Sequence, residues 1–244
     1  MTKINHLKEI AKSNKSFIIY KSDKGFNLYT DFSKKIILTN SNIKNFINKT
    51  TQFKFKKKET DIFIGFFGYE ILNNLIGVKL KKQKGLKFPK GIFYKPETKV
   101  KLQNKLDYKN LELIKSNKPF KININKASYK VVFDKFKKKI KSGETYQIKI
   151  CTKYNNSTQV DALDFFCRLV KTNMAPEAFM IKDKGYSIIS CSPENLINKK
   201  NDFITTKPIA GTLKKTPKLN KTKALAFFRK NLKETKEHNM IVDM

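Results

Sequence analysis

Glu234 and Glu237 lie three residues apart, so any helix running through them carries both on one face, where a carboxylate pair can hold a hard divalent cation. Upstream, Lys207-Pro208-Ile209-Ala210-Gly211-Thr212 forms a Pro-Gly turn whose backbone N–H groups and hydroxyl would suit a small anion. Glu194 follows Ser192 and Pro193 at the end of a β-rich run, where proline fixes φ, removes a donor and stiffens the turn that aims the carboxylate. Together these groups could hold an anion beside a metal, with a carboxyl group near both. Each also has a plainer reading taken alone. Glu234 and Glu237 sit among Lys233, Lys236 and His238, as a surface ion-pair face would; Ala210-Gly211-Thr212 could be a simple turn, and Glu194 a solvated turn residue.

Composition narrows the class. A chain of 244 residues, 39% hydrophobic and with 20 Phe, is long and apolar enough for one large or two small domains with a proper core. No apolar run approaches the roughly 20 residues of a membrane span, so no membrane role is expected. Residues 1–15 lack the apolar stretch of a secretion signal, which makes the cytoplasm the expected location. The net charge of +33 invites a nucleic-acid partner, yet Arg168 and Arg229 are the only arginines among 53 basic residues. Readers of bases and phosphates favour the arginine fork, and no recognisable nucleic-acid motif is present. Lysine runs such as 54–58 and 137–139 therefore read as solvated faces of a strand and a helix, and no nucleic-acid partner is expected. Cys151, Cys167 and Cys191 share no metal-ligand spacing, and His6 and His238 are the only histidines, which argues against a zinc site or a Ser-His-Asp triad.

The elements that must position these groups follow from periodicity and breakers. Residues 16–20, 35–39 and 61–68 are β-rich, residues 69–75 continue as a short helix, and Pro89, Gly91 and Pro96 interrupt the chain before a strand at 99–102. The polar stretch 103–118 marks a boundary, giving an N-terminal region 1–118 and a second domain 119–244. In the latter, Ser128 can cap a helix with Val132, Phe136 and Ile140 at helical spacing, closed by Gly143. A strand at 145–154 follows, then a helix at 160–171 that buries Leu163, Phe166 and Val170. Residues 178–181 and 186–191 form a hairpin around Asp183-Lys184-Gly185. A second strand pair ends at Pro208, and one long helix runs from about residue 220 to Met244. Ile241, Val242 and Met244 are still apolar at that point, with no Gly, Asn or Pro stop signal, so the chain reads as truncated.

In this order and spacing the motifs become specific. Gly143-Glu144-Thr145-Tyr146-Gln147, Ser192-Pro193-Glu194, Pro208-Ile209-Ala210-Gly211-Thr212 and Glu237-His238-Asn239-Met240-Ile241-Val242-Asp243 resemble successive motifs of the chorismate-binding enzymes, component I of anthranilate synthase and of aminodeoxychorismate synthase. Phe66-Phe67-Gly68-Tyr69-Glu70 resembles the Gly-Tyr motif of the family's N-terminal region. The resemblance implies an α+β fold: a two-layer antiparallel β-sheet core with outer helices, here incomplete. It implies chorismate as substrate, Mg²⁺ as cofactor and ammonia delivered by a glutamine amidotransferase subunit. Glu194 then matches the general acid that protonates the leaving C4 hydroxyl, a role helped by burial in a dry pocket. Glu237 matches a ligand of the Mg²⁺ that neutralises the ring carboxylate, and Gly211 and Thr212 match substrate-carboxylate contacts. Gln147 stands where water-using relatives carry a lysine base; an amide cannot deprotonate water, which sides with ammonia.

The branch is read from one position against several. Ala210 occupies the place where many aminodeoxychorismate synthases carry a lysine nucleophile, which implies direct amination at C2 and the anthranilate product. Against this, residues 17–22 lack the Leu-Leu-Glu-Ser motif for tryptophan, Pro176-Glu177-Ala178 replaces Pro-Tyr-Met, and the short link between Thr212 and Glu237 resembles the folate-branch enzyme. The anthranilate reading stands first and aminodeoxychorismate synthesis second. Because the family continues past Asp243 with a second metal carboxylate and a catalytic histidine, this chain alone is expected to be inactive. A non-catalytic remnant and a basic nucleic-acid-binding protein are the remaining rivals.

Overall fold

Gly25 and the polar residues before it separate two apolar runs, β1 (Phe17–Ser22) and β2 (Gly25–Ile37), which fold back on each other with Ile18 opposite Tyr29 and Ser22 opposite Gly25. The computed structural model describes residues 8–10, 13, 16–22, 25–51, 58–78, 88–102, 118–173 and 175–243. The expected boundary at 103–118 falls almost wholly outside these, as does most of the 54–58 lysine run. By internal packing the chain divides into two units, residues 1–110 with 165–244, and residues 111–164.

The larger unit is built on a six-stranded antiparallel sheet ordered β3-β4-β2-β1-β7-β8, with β3 at Ile64–Phe67, β4 at Gly91–Leu102, β7 at Glu177–Asp183 and β8 at Tyr186–Ser192. Its middle strand β1 pairs on one side with β2 and on the other with β7, Phe17 opposite Lys182 and Tyr20 opposite Phe179. Three consecutive residues of β1, Phe17, Ile18 and Ile19, are buried, as happens only when both faces of a sheet are covered. On one face Phe166 of helix α4 (Ala162–Asn173) meets Phe26 edge-on at 6.1 Å. Leu163, Phe166 and Val170 are all buried, as the helical spacing requires. A second cluster gathers Ile18, Tyr29, Ile92, Tyr94 and Ile181. At the other end α1 (Ile43–Thr51) and α2 (Tyr69–Leu75) contribute Ile43, Phe46 and Ile71 to a cluster around Leu38.

Beside this apolar core lies a buried charge. Asp183, in the tight turn between β7 and β8, accepts hydrogen bonds from Ser16 Oγ (2.6 Å), Tyr94 Oη (2.5 Å), Tyr186 Oη (3.2 Å), its neighbour's Lys184 N–H (2.8 Å) and the Lys35 ammonium. Burial alone would raise its pKa; the hydrogen bonds from Lys35, Ser16 and Tyr94 outweigh that and hold the carboxyl well below the usual range.

Strand β4 corrects the break expected at Gly91 and Pro96. It runs through both, because Pro96 faces Phe32 where β2 bulges between Phe32 and Lys34, so its missing N–H falls at an irregularity of the ladder. Asp31, with φ of +53°, supplies the local bend.

The chain then forms the strand pair β9 (Asn195–Lys200) and β10 (Phe203–Lys207), a separate two-stranded antiparallel piece. The single C-terminal helix expected from the sequence is two helices, α5 (Lys221–Lys230) and α6 (Leu232–Asp243), divided at Asn231. Asn231 leaves the helical region (ψ of 98°), and its side chain accepts from the Glu234 N–H at 3.2 Å, which caps α6.

The smaller unit holds α3 (Lys126–Lys141) and the short pair β5 (Lys121–Ile122) with β6 (Tyr154–Asn155). Asn125, not Ser128, is the cap of α3; Ser128 at the third position reciprocates, closing a capping box. Gly143, with φ of +76°, follows the helix end as expected. The strand expected over 145–154 is not formed: only Tyr154 and Asn155 pair, since β5 offers them just two residues.

The α+β class with an antiparallel sheet and outer helices is thus borne out. Among the described residues no helix is long and apolar enough to cross a membrane.

Candidate functional site

The capping of α6 has a direct consequence for chemistry. With Asn231 as the cap, Glu234 is the third residue of the new helix, where its carboxylate benefits from the positive end of the helix dipole. It points at the turn after β10. Gly211 there has φ of +78°, a conformation that favours glycine. A methyl group added at Gly211 would lie 2.3 Å from Glu234 Oε2 and 3.0 Å from the Phe228 ring. Glycine at 211 is therefore what leaves room for the carboxylate beside the turn. Phe228 comes from α5, and Thr235 Oγ1 donates to the Phe228 carbonyl at 3.0 Å, tying the two helices together at this point.

The side chain of Glu234 is 14% exposed and that of Glu237 33%. Lys233 Nζ bridges them, 3.0 Å from Glu234 Oε1 and 3.0 Å from Glu237 Oε2. Glu237 first, and then Glu234, hold the Lys233 ammonium above its ordinary pKa. Glu234 Oε2 is buried and accepts no hydrogen bond. An acceptor so placed costs free energy unless something donates to it or coordinates it.

No group of three His, Cys, Asp or Glu side chains is placed to hold a metal among the described residues. Magnesium keeps several waters and is commonly held by one or two carboxylates. A partly buried pair with one unpartnered oxygen, next to a turn that leaves space for it, fits such an ion. The sequence offered Glu234 and Glu237 as a carboxylate pair and the resemblance singled out Glu237; in the structure Glu234 is the more buried of the two. The signal for its burial is its place three residues after the capping Asn231.

The other expected residues lie as follows. Ala210 is half-buried and Thr212 exposed, flanking Gly211 in the same turn. Glu194 sits between β8 and β9, where its N–H donates to Ser192 Oγ at 3.1 Å and its carbonyl accepts from the same hydroxyl at 3.2 Å. This fixes the backbone of the Ser-Pro-Glu turn, yet the Glu194 side chain is exposed rather than in a dry pocket. Gln147 belongs to the smaller unit, exposed in the irregular stretch before β6, where its carbonyl accepts from Thr145 Oγ1 at 3.2 Å. The structure thus brings Gly211, Glu234 and Glu237 into one constellation.

Residues 4–244 match the family described as chorismate binding enzyme. The chain belongs to that family. Among curated relatives, anthranilate synthase component 1 of Cereibacter sphaeroides is 28% identical over 123 residues, covering 50% of this chain and 25% of the relative. Aminodeoxychorismate synthase component 1 of Bacillus subtilis is 32% identical over 112 residues, covering 46% of this chain and 24% of the relative. In fold the chain is similar to anthranilate synthase component I from Streptococcus pneumoniae, with a TM-score of 0.66 at 19% identity, over 94% of this chain and 58% of that one. The matched stretch covers about half of this chain and about a quarter of the length of each of these two curated relatives.

Proposed function

We propose that this chain carries the chorismate-binding part of a component I synthase that aminates chorismate with glutamine-derived ammonia. The observation that carries the reading is the packing of the Glu234 carboxylate against Gly211, with Glu237 on the same helix face. In this reading the turn 210–212 holds a ring carboxylate through its N–H groups and the Thr212 hydroxyl. Glu234 and Glu237 hold Mg²⁺, which when bound supplies the positive charge that neutralises that carboxylate. Glu194 gives its proton to the departing C4 hydroxyl; exposed in this structure, it depends on bound substrate to exclude water from it. Gln147, a neutral amide, leaves water unactivated so that ammonia is the nucleophile.

Ala210 supports direct addition of ammonia at C2 and hence the anthranilate branch, because no lysine amine stands at that position to attack first. Glu177 supports the second reading, aminodeoxychorismate synthesis. It stands where the tryptophan-regulated enzymes have tyrosine, and its carboxylate accepts from Tyr20 Oη at 2.8 Å and from Asn195 Nδ2 at 3.1 Å. The cytoplasm is the location in either case, and a glutamine amidotransferase the partner.

Calorimetric titration of the purified chain with chorismate, with and without MgCl₂, tests the reading. Binding that needs Mg²⁺ and disappears in Glu237→Gln is the expected result. Equal titration curves with and without the metal, or with and without Glu237, would refute it. Binding rather than turnover is the readout, because this chain alone is expected to be inactive.

A further inference from the structure

We propose that Lys233 is a built-in counter-ion that occupies the Glu234–Glu237 pair until a divalent cation displaces it, and so sets how weakly this chain takes its metal. The proposal rests on the reading of that pair as a metal site. Its geometry is specific: one ammonium stands 3.0 Å from Glu234 Oε1 and 3.0 Å from Glu237 Oε2, so the two oxygens lie no more than 6.0 Å apart with a positive charge between them. A divalent cation drawn to the two carboxylates would compete with the ammonium for them.

The tether is made to let go. The Lys233 side chain is 74% exposed, whereas the carboxylates it bridges are largely covered. An exposed ammonium gains little from such a pair and loses little on swinging into water. The anchor of the site therefore stays while its occupant leaves. Nor does Lys233 complete the site: two carboxylates against one ammonium leave a net negative charge, and Glu234 Oε2 remains without a donor. The pair thus keeps a net negative charge that attracts a dication.

Removing the ammonium removes both the competitor and a repulsive charge a few ångströms from the incoming ion. At the high effective dielectric and ionic strength of a surface this is worth about 5–10-fold in affinity for a dication. The test is Mn²⁺ binding to the purified chain, followed by electron paramagnetic resonance without substrate, with circular dichroism confirming that each variant is folded. Lys233→Met is expected to bind Mn²⁺ about 5–10-fold more tightly than the unaltered chain, and Lys233→Arg to bind no more tightly than it. Unchanged or weaker binding in Lys233→Met overturns the proposal. Glu237→Gln separates the two ideas. If it leaves Mn²⁺ binding intact, the metal site itself is wrong; if it abolishes binding while Lys233→Met gives no gain, only the role of Lys233 is wrong.

Discussion

Asp183 shows how one residue can carry both a cost and a constraint. Its two oxygens serve Ser16, Lys35, Tyr94, Tyr186 and the Lys184 backbone, so four segments of the sheet meet at one carboxylate. Because its folded pKa lies below the unfolded value, its stabilising contribution is fully present above about pH 4–5. That contribution is lost as the pH falls through the folded pKa. Asp183→Asn is expected to destabilise the larger unit by about 2–4 kcal/mol at pH 7, measured by urea unfolding, and to remove the corresponding loss of stability in acid. Gly211 is the second residue whose replacement has a defined outcome. Gly211→Ala places a methyl group 2.3 Å from Glu234 Oε2 in a backbone conformation that alanine disfavours. A local cost of about 1–2 kcal/mol is expected, seen as faster hydrogen exchange in α6 and weaker divalent-metal binding. At this scale the sequence was informative about residue type and silent about contact. Gly211 and Glu237 could be named from their motifs, but the approach of Glu234 to Gly211 depends on the helix break between them, and no local pattern encodes that.

Elements were legible where a local signal decides them. The Asp183-Lys184-Gly185 turn, with Gly185 at φ of +81°, fixes the β7–β8 hairpin, and the spacing of Leu163, Phe166 and Val170 fixes α4. They were misread where a distant partner decides. Pro96 looks like a breaker until β2 is seen to bulge opposite it, and residues 145–153 look like a strand until one asks what they would pair with. The division of α5 from α6 at Asn231 belongs to the same class, since asparagine is tolerated inside a helix but favoured as a cap. Asn231→Ala is expected to cost about 1 kcal/mol of helix stability. It should also let the two helices run together, turning Glu234 away from the Gly211 turn. Weaker Mn²⁺ binding with an unchanged or slightly higher helix signal by circular dichroism is the expected pair of results; metal binding equal to that of the unaltered chain would show that the break does not position Glu234.

At the scale of the whole molecule, apolar side chains outside the core set behaviour in solution. Leu196 and Phe203 on β9 and β10 are 81% and 78% exposed, and Ile197 and Ile204 lie beside them. A lone two-stranded piece is marginally stable and its outer edges remain open for pairing. Leu196→Lys combined with Phe203→Lys is therefore expected to reduce concentration-dependent association, measured by light scattering, without lowering the unfolding midpoint of the six-stranded sheet. The order of strands in that sheet matters in another way, for a chain emerging from a ribosome. Strand β1 lies between β2 and β7, and Phe17 has to wait for Lys182 to be made before its second edge closes. At ordinary rates of synthesis that interval is roughly 10–30 s. Throughout it Phe17, Ile18 and Ile19 present an uncovered apolar edge, so the first of this sheet's six strands to be made is among the last to be protected, and it is where a chaperone would be needed most.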